Sequence, residues 1–199
     1  MGSAQTRRQL LARGVRAGAA GAAGAALLAP ASAQAQAASE TERLHRLLSV
    51  ELLALYSYEH VLASRVVSPH ARRALVPLLA HEHAHVTVVG ARLQALGGTP
   101  PAAPVSLAAA NRDLAHRKVS ERLGQLQGSA DALRLLLAIE RVATGAYFVA
   151  LTTLSDPRLI RLGAEIMASE AQHQAVIGDL LNHGNGAMAV PYGLVQGMQ

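Results

Sequence analysis

Two stretches of the sequence, HEHAHVTVVG at 81–90 and SEAQHQAVIG at 169–178, each place a glutamate three residues before a histidine: Glu82 with His85, and Glu170 with His173. Residues i and i+3 leave a helix on one face, so each stretch can present a carboxylate and an imidazole to one guest. The chemistry such a pair does best is to hold a hard or borderline metal cation through oxygen and nitrogen donors. The chain has no cysteine, which excludes thiolate sites and disulfides.

The neighbours of these residues sharpen the point. At about 100° per residue, Glu82 sits at the centre of an apolar stripe of Leu75, Leu78, Val86, Val89 and Leu93. Glu170 lies between Ile166, Ile177 and Leu181 in the same way, Glu140 among Leu133, Leu136, Tyr147 and Leu151, and Glu51 among Leu44, Leu48, Leu55 and Leu62. One glutamate per helix therefore faces a core. Left ionised and unpaired there, each costs several kcal/mol, comparable with the stability of a whole domain. Arg43, Arg46, Arg72, Arg92 and Arg141 read as outward or flanking and cannot neutralise them. A cationic guest is required, and two metal ions fit six ligands: Glu51, Glu82, His85, Glu140, Glu170 and His173.

The order along the chain is an internal repeat. Glu51 precedes Glu82 by 31 residues and Glu140 precedes Glu170 by 30, while Tyr58 and Tyr147 each follow their glutamate by seven. Each half reads Glu, Tyr two turns later, a turn with Ser and Pro, then the Glu-x-x-His pair. Two antiparallel hairpins related by a pseudo-two-fold axis bring both halves to one site.

The elements that must position these residues are helices. Ser39 with Glu42 reads as a capping box that opens helix one, and Ser68-Pro69 stops it and starts helix two. Helix two runs to about Leu96, with a kink allowed at Pro77, and GGTPPAAP ends it. Residues 97 to 128 form a long connection with a short helix around Asn111 to Leu126. Ser129 caps helix three, from Asp131 to about Leu154, and Ser155-Asp156-Pro157 repeats the stop and start. Helix four runs to Asn182, where HGNG closes it, and the tail from Ala187 reads as extended along the surface. Short turn, long crossover, short turn is the connectivity of an all-α four-helix bundle made of two antiparallel hairpins.

Composition agrees. The chain is 51% hydrophobic but only 3% aromatic, an Ala, Leu and Val palette suited to helices. A formal charge of +5 suggests nucleic acid until the arginines are located. Removing Arg7, Arg8, Arg13 and Arg16 from the 18 Lys and Arg leaves 14 against 13 Asp and Glu, too even a balance for a phosphate-binding patch. Those four arginines belong to a leader: Arg7-Arg8, an uncharged Ala/Gly-rich run from Ala17 to Ala29, then Ala31-Ser32-Ala33 as a small-residue cleavage site. The stretch TRRQLLAR resembles a twin-arginine export signal, which implies export of an already folded protein to the periplasm, cell envelope or exterior. An Ala/Gly tail or an uncleaved anchor is the alternative. The expected organisation is an export signal and linker at 1–38, the bundle at 39–186 and a tail at 187–199. No later run is long and apolar enough to span a bilayer.

With both Glu-x-x-His motifs and all six ligand positions filled between Thr41 and Asn182, the chain resembles the ferritin-like di-iron carboxylate superfamily, such as bacterioferritin and rubrerythrin. The resemblance implies a ferritin-like bundle holding two iron ions, with manganese as an alternative. Glu82 and Glu170 would bridge the metals, and Glu51 and Glu140 would be terminal. Tyr58 and Tyr147 would each hydrogen-bond a ligand carboxylate across the bundle, as the candidate catalytic residues, or serve only as core aromatics. Glu59 competes with Glu51 for the helix-one position. Glu42 with His45 repeats the spacing but belongs to the capping turn, His81, one turn before His85, reads as a rim residue with support of a ligand as the alternative, His83 reads as a rim residue, and His60, His70, His116 and His183 as exposed. The activities implied are reaction with dioxygen or peroxide, of ferroxidase or peroxidase type; a catalase-like di-manganese enzyme and a non-enzymatic exported bundle are the alternatives. A homodimer is compatible with either.

Overall fold

The computed structural model describes residues 31–190. Residues 1–30 of the expected export signal lie outside these residues, as does the end of the tail, while the expected cleavage site Ala31-Ser32-Ala33 and linker belong to the first helix. The helices are α1 (Ala31–Ala63), α2 (Pro69–Ala95), α3 (Leu107–His116), α4 (Ser129–Leu151), α5 (Pro157–Leu181) and the short α6 (Gly186–Ala189). Contacts divide the chain after Ala37, and the unit from Ala38 onward carries the site. Within it, the part of α1 from Ala38 onward and α2 form one hairpin, α4 and α5 the other, and α3 lies in the long connection between them.

The hairpin turns are built as their residues dictate. Ser68 Oγ accepts from Ala71 N at 3.2 Å and Pro69 opens α2. Asp156 Oδ1 accepts from Arg158 N at 2.8 Å and Pro157 opens α5. In both, the cap satisfies an amide that the first helical turn leaves free, and proline occupies a position whose N–H is not needed. α2 continues through Pro77 and ends where Gly97 takes φ 76°, a left-handed conformation open to glycine, with Gly98 N bonding back to Leu93 O at 2.9 Å.

Four details differ from the sequence reading. Helix one already runs through Ser39, because nothing in the alanine-rich stretch from Ala31 interrupts a helix, so Ser39 is no N-cap and Glu42 pairs instead with Arg46 at 2.5 Å. The connecting helix starts earlier, at Leu107, where Ser106 Oγ accepts from Ala109 N at 3.2 Å, and it stops at His116. α4 begins at Ser129 itself, with Gly128 in the cap position, and ends at Leu151. Ser129 is used elsewhere: its Oγ accepts from Ser68 N at 2.7 Å, tying the first turn to the start of α4. The tail begins with the short α6, whose Ala189 carbonyl would lie 3.0 Å from a Cβ at Gly178, so glycine there lets α6 sit close on α5 and a side chain would push it back by a few tenths of an ångström.

The core consists of two apolar clusters. One gathers Leu53 and Val61 of α1, Leu75 and Leu78 of α2, Leu114 of α3, Leu135, Leu136 and Ile139 of α4, and Ile177 of α5. The other gathers Leu44, Leu47 and Leu48 with Val89, Leu93, Leu154, Leu159 and Ile166. On α2 and α5 the buried glutamate falls between one cluster and the other, and on α1 and α4 it lies within one turn or two of the changeover, so a polar layer crosses an otherwise greasy interior.

Candidate metal centre

All six predicted ligands are brought together. Glu51, Glu82 and Glu170 are 0% exposed, Glu140 and His173 1% and His85 7%, so water cannot solvate the charges. Their donor atoms form two groups, each lying within 4.8 Å of one another: Glu51, Glu82, His85 and Glu170, and then Glu82, Glu140, Glu170 and His173. Glu82 and Glu170 belong to both. Each remaining glutamate belongs to one group, with one histidine.

The distances show how tightly the donors converge. His85 Nδ1 is 3.0 Å from Glu170 and 3.6 Å from Glu51. His173 Nδ1 is 3.1 Å from Glu82, 3.2 Å from Glu170 and 3.4 Å from Glu140. These contacts lack hydrogen-bond alignment. Eight buried side-chain nitrogen and oxygen atoms among the described residues have no hydrogen bond, and all eight are on these six residues: Glu51 Oε2, both oxygens of Glu82 and Glu170, Glu140 Oε2, and Nδ1 of both histidines. Native interiors rarely leave such atoms orphaned. Two of each shared glutamate and one of every other residue is the complement that a pair of cations between the two groups would satisfy, and oxygen with imidazole nitrogen suits a hard or borderline ion. Among the described residues, no Lys or Arg pairs with any of the four carboxylates.

The tyrosines account for the oxygens that are not orphaned. Tyr58 Oη donates to Glu140 Oε1, and Tyr147 Oη donates to Glu51 Oε1 at 2.5 Å. Each hydroxyl crosses from one hairpin to the carboxylate of the other and leaves one glutamate oxygen facing the centre. Burial, with the charge of Glu140 on Tyr58 and of Glu51 on Tyr147, raises both phenols well above their ordinary range, so they stay protonated and donate. Gln174 Nε2 donates to Thr144 Oγ1 at 2.6 Å, and Thr144 Oγ1 donates to Glu140 O at 2.9 Å, fastening α5 to α4 beside the site.

Without a cation, the cluster compensates by holding protons. Burial raises Glu51 and Glu140, and it raises Glu82 to about 8 with help from the charges of Glu170 and Glu51. Burial alone would lower the histidines, but the surrounding carboxylates outweigh it: Glu170 and Glu51 bring His85 up to about 10, and Glu140, Glu170 and Glu82 bring His173 up to about 12. At Glu170 burial works upward too, yet contacts with Glu140, His173 and His85 hold it below the ordinary range.

The competing residues separate cleanly. Glu59 is exposed and pairs with exposed His83 at 3.6 Å, so the helix-one carboxylate at the site is Glu51. His70, His116 and His183 are exposed and His60 is half-buried. His81 is exposed, as expected of a rim residue, but its Nδ1 lies 3.0 Å from His173 Nε2 with the rings stacked. Burial and the charge of His173 lower its pKa. That contact depends on how α2 and α5 approach, though the HEHAH run did mark His81 as one turn from His85. Sequence reasoning passed over one further buried carboxylate, Glu40, which accepts from Ser155 Oγ at 2.8 Å and Asp156 N at 2.9 Å.

The model of one family, described as ferritin-like domain, matches residues 39–183. No curated protein and no solved structure matches the chain significantly.

Proposed function

Because the chain belongs to the ferritin-like domain family and buries a Glu/His cluster able to hold metal ions, we propose that it is a di-iron protein of redox function, acting on dioxygen or peroxide in the manner of a ferroxidase or peroxidase. The observation that carries this is the set of eight orphaned donor atoms, confined to six residues and divided into two groups with two shared carboxylates. Glu82 and Glu170 would bridge the metals. Glu51 with His85 would complete one position, and Glu140 with His173 the other. Bound there, the irons would supply electrons for reducing an oxygen species.

The protein's own part is to bind and orient. Tyr58 and Tyr147 each occupy one oxygen of a terminal glutamate and aim the other inward. The apolar clusters on either side exclude water, which strengthens every charge interaction within the layer. Among the described residues, no helix is long and apolar enough to cross a membrane. The Arg7-Arg8 leader supports export of the folded, metal-loaded protein as part of the same proposal.

The test is elemental analysis of the purified full chain, followed by anaerobic ferrous loading and exposure to oxygen or to peroxide. Two irons per chain that oxidise with either oxidant support the reading. Manganese in their place points to the catalase-like alternative, and tight metal binding with no oxidation to a structural role.

A further inference from the structure

The two halves of the site correspond in their glutamates, tyrosines and histidines, and they differ in what stands behind the histidines. Glu51, Tyr58, Glu82 and His85 of the first hairpin correspond to Glu140, Tyr147, Glu170 and His173 of the second. On the same register, His81 of α2 corresponds to Ser169 of α5, each one residue before the shared glutamate. His81 reaches across to the other hairpin: its Nδ1 is 3.0 Å from His173 Nε2, and the two rings stack with centroids 5.2 Å apart and planes 14° from parallel. Among the described contacts Ser169 has no reciprocal one with His85. Its Oγ lies 3.4 Å from His173 Nε2 on its own helix. The polar contacts of His85 among the described residues run through Nδ1 alone, to Glu170 and Glu51.

The consequence is chemical. In both histidines Nδ1 faces the carboxylates, so a metal bound there leaves the ring proton on Nε2. For His173 that proton has an acceptor in His81 Nδ1 at 3.0 Å when His81 carries its own proton on Nε2, with Ser169 Oγ the more distant neighbour at 3.4 Å. For His85 no protein group among the described residues takes the proton. A partner behind a ligating imidazole sets its tautomer, fixes the ring and raises its basicity, typically a 10–100-fold effect on metal affinity.

We infer that His81 is a positioning residue for His173, and that it makes the two metal positions unequal, with the Glu140–His173 position the tighter. The inference rests on the metal-centre reading above and adds an order of filling to it.

The test is titration of the metal-free full chain with cobalt(II), followed by calorimetry and visible absorption, for the wild type and for His81→Leu and His81→Asn. The wild type is expected to bind in two steps of unequal affinity. His81→Leu weakens the tighter step 10–100-fold and leaves the other unchanged, which serves as the control for folding. His81→Asn restores the lost step, because Asn Oδ1 stands where Nδ1 stood and accepts the same proton. In a His173→Ala background, His81→Leu has no further effect. Two cobalt steps indifferent to His81→Leu, or a loss that asparagine does not restore, overturn the inference alone. A wild type that binds no cobalt overturns the metal centre and the inference together.

Discussion

Glu40 and Glu170 are both buried glutamates of the same bundle, and their surroundings differ in kind. At the α4–α5 turn, one oxygen of Glu40 accepts from Ser155 Oγ at 2.8 Å, Ser155 N at 3.3 Å and Asp156 N at 2.9 Å. These donors stand at the start of α5, where free amides and the helix dipole favour an anion. In the central layer neither oxygen of Glu170, nor of Glu82, has a hydrogen bond among the described residues. A buried carboxylate is therefore no sign of a metal by itself. The sign is what stays unsatisfied once the chain's own donors have been counted, and on that measure the turn is complete and the centre is not.

Substitutions should separate the two regions. The largest effect is expected at the shared carboxylates: Glu82→Ala and Glu170→Ala each lose both metals by elemental analysis, because each takes a donor from both groups. Glu40→Ala keeps both. Next come Tyr58→Phe and Tyr147→Phe, each of which frees a terminal carboxylate to turn and weakens metal binding about 10–100-fold in a competition titration.

The pH dependence follows from the protons that the centre holds without metal. Glu82 stands at about 8 against an ordinary 4.5, and His85 at about 10 against 6.5, so between those limits the folded state binds more protons than the unfolded one. Stability of the metal-free protein then falls as pH rises, through 4.5 to 8 for Glu82 and through 6.5 to 10 for His85. Metal must expel the same protons, so its affinity rises over that range. The gap in Tm between loaded and chelated protein should widen from about pH 6 to about pH 9; a constant gap would contradict the proton inventory. Smaller is the loss at the turn, where Glu40→Ala should cost about 2 kcal/mol, or roughly 4–8 °C in Tm, by scanning calorimetry. Smallest is Glu59→Gln, expected within about 0.5 kcal/mol of wild type because Glu59 and His83 meet in solvent.

The sequence made the centre legible because its signal is local. Glu82 among Leu75, Leu78 and Val89 is a conflict visible on one helix, and its recurrence on three more helices is readable without any fold. Glu51 could be preferred to Glu59 because the Tyr58 offset repeats at Tyr147, and the bonds to Glu140 and Glu51 span the hairpins. What escaped was non-local or rested on a weak boundary signal. Glu40 finds its donors 115 residues away, and His81 meets His173 only through the approach of α2 to α5. Ser39 looked like a cap because serine and glutamate at that spacing often are, yet the alanines before it carry the helix through. The connecting helix was misplaced because Ser106, its cap, follows a proline-rich stretch that gives no period to read.

The most direct test of the centre is anomalous diffraction at the iron and manganese edges from crystals of the full chain. Two peaks enclosed by Glu82, Glu170 and the two histidines are expected, both absent in Glu170→Ala. Crystals of protein supplied with metal that show the four glutamates folded inward and no peak among them would mean that protons alone quiet this core, and that no cation belongs there.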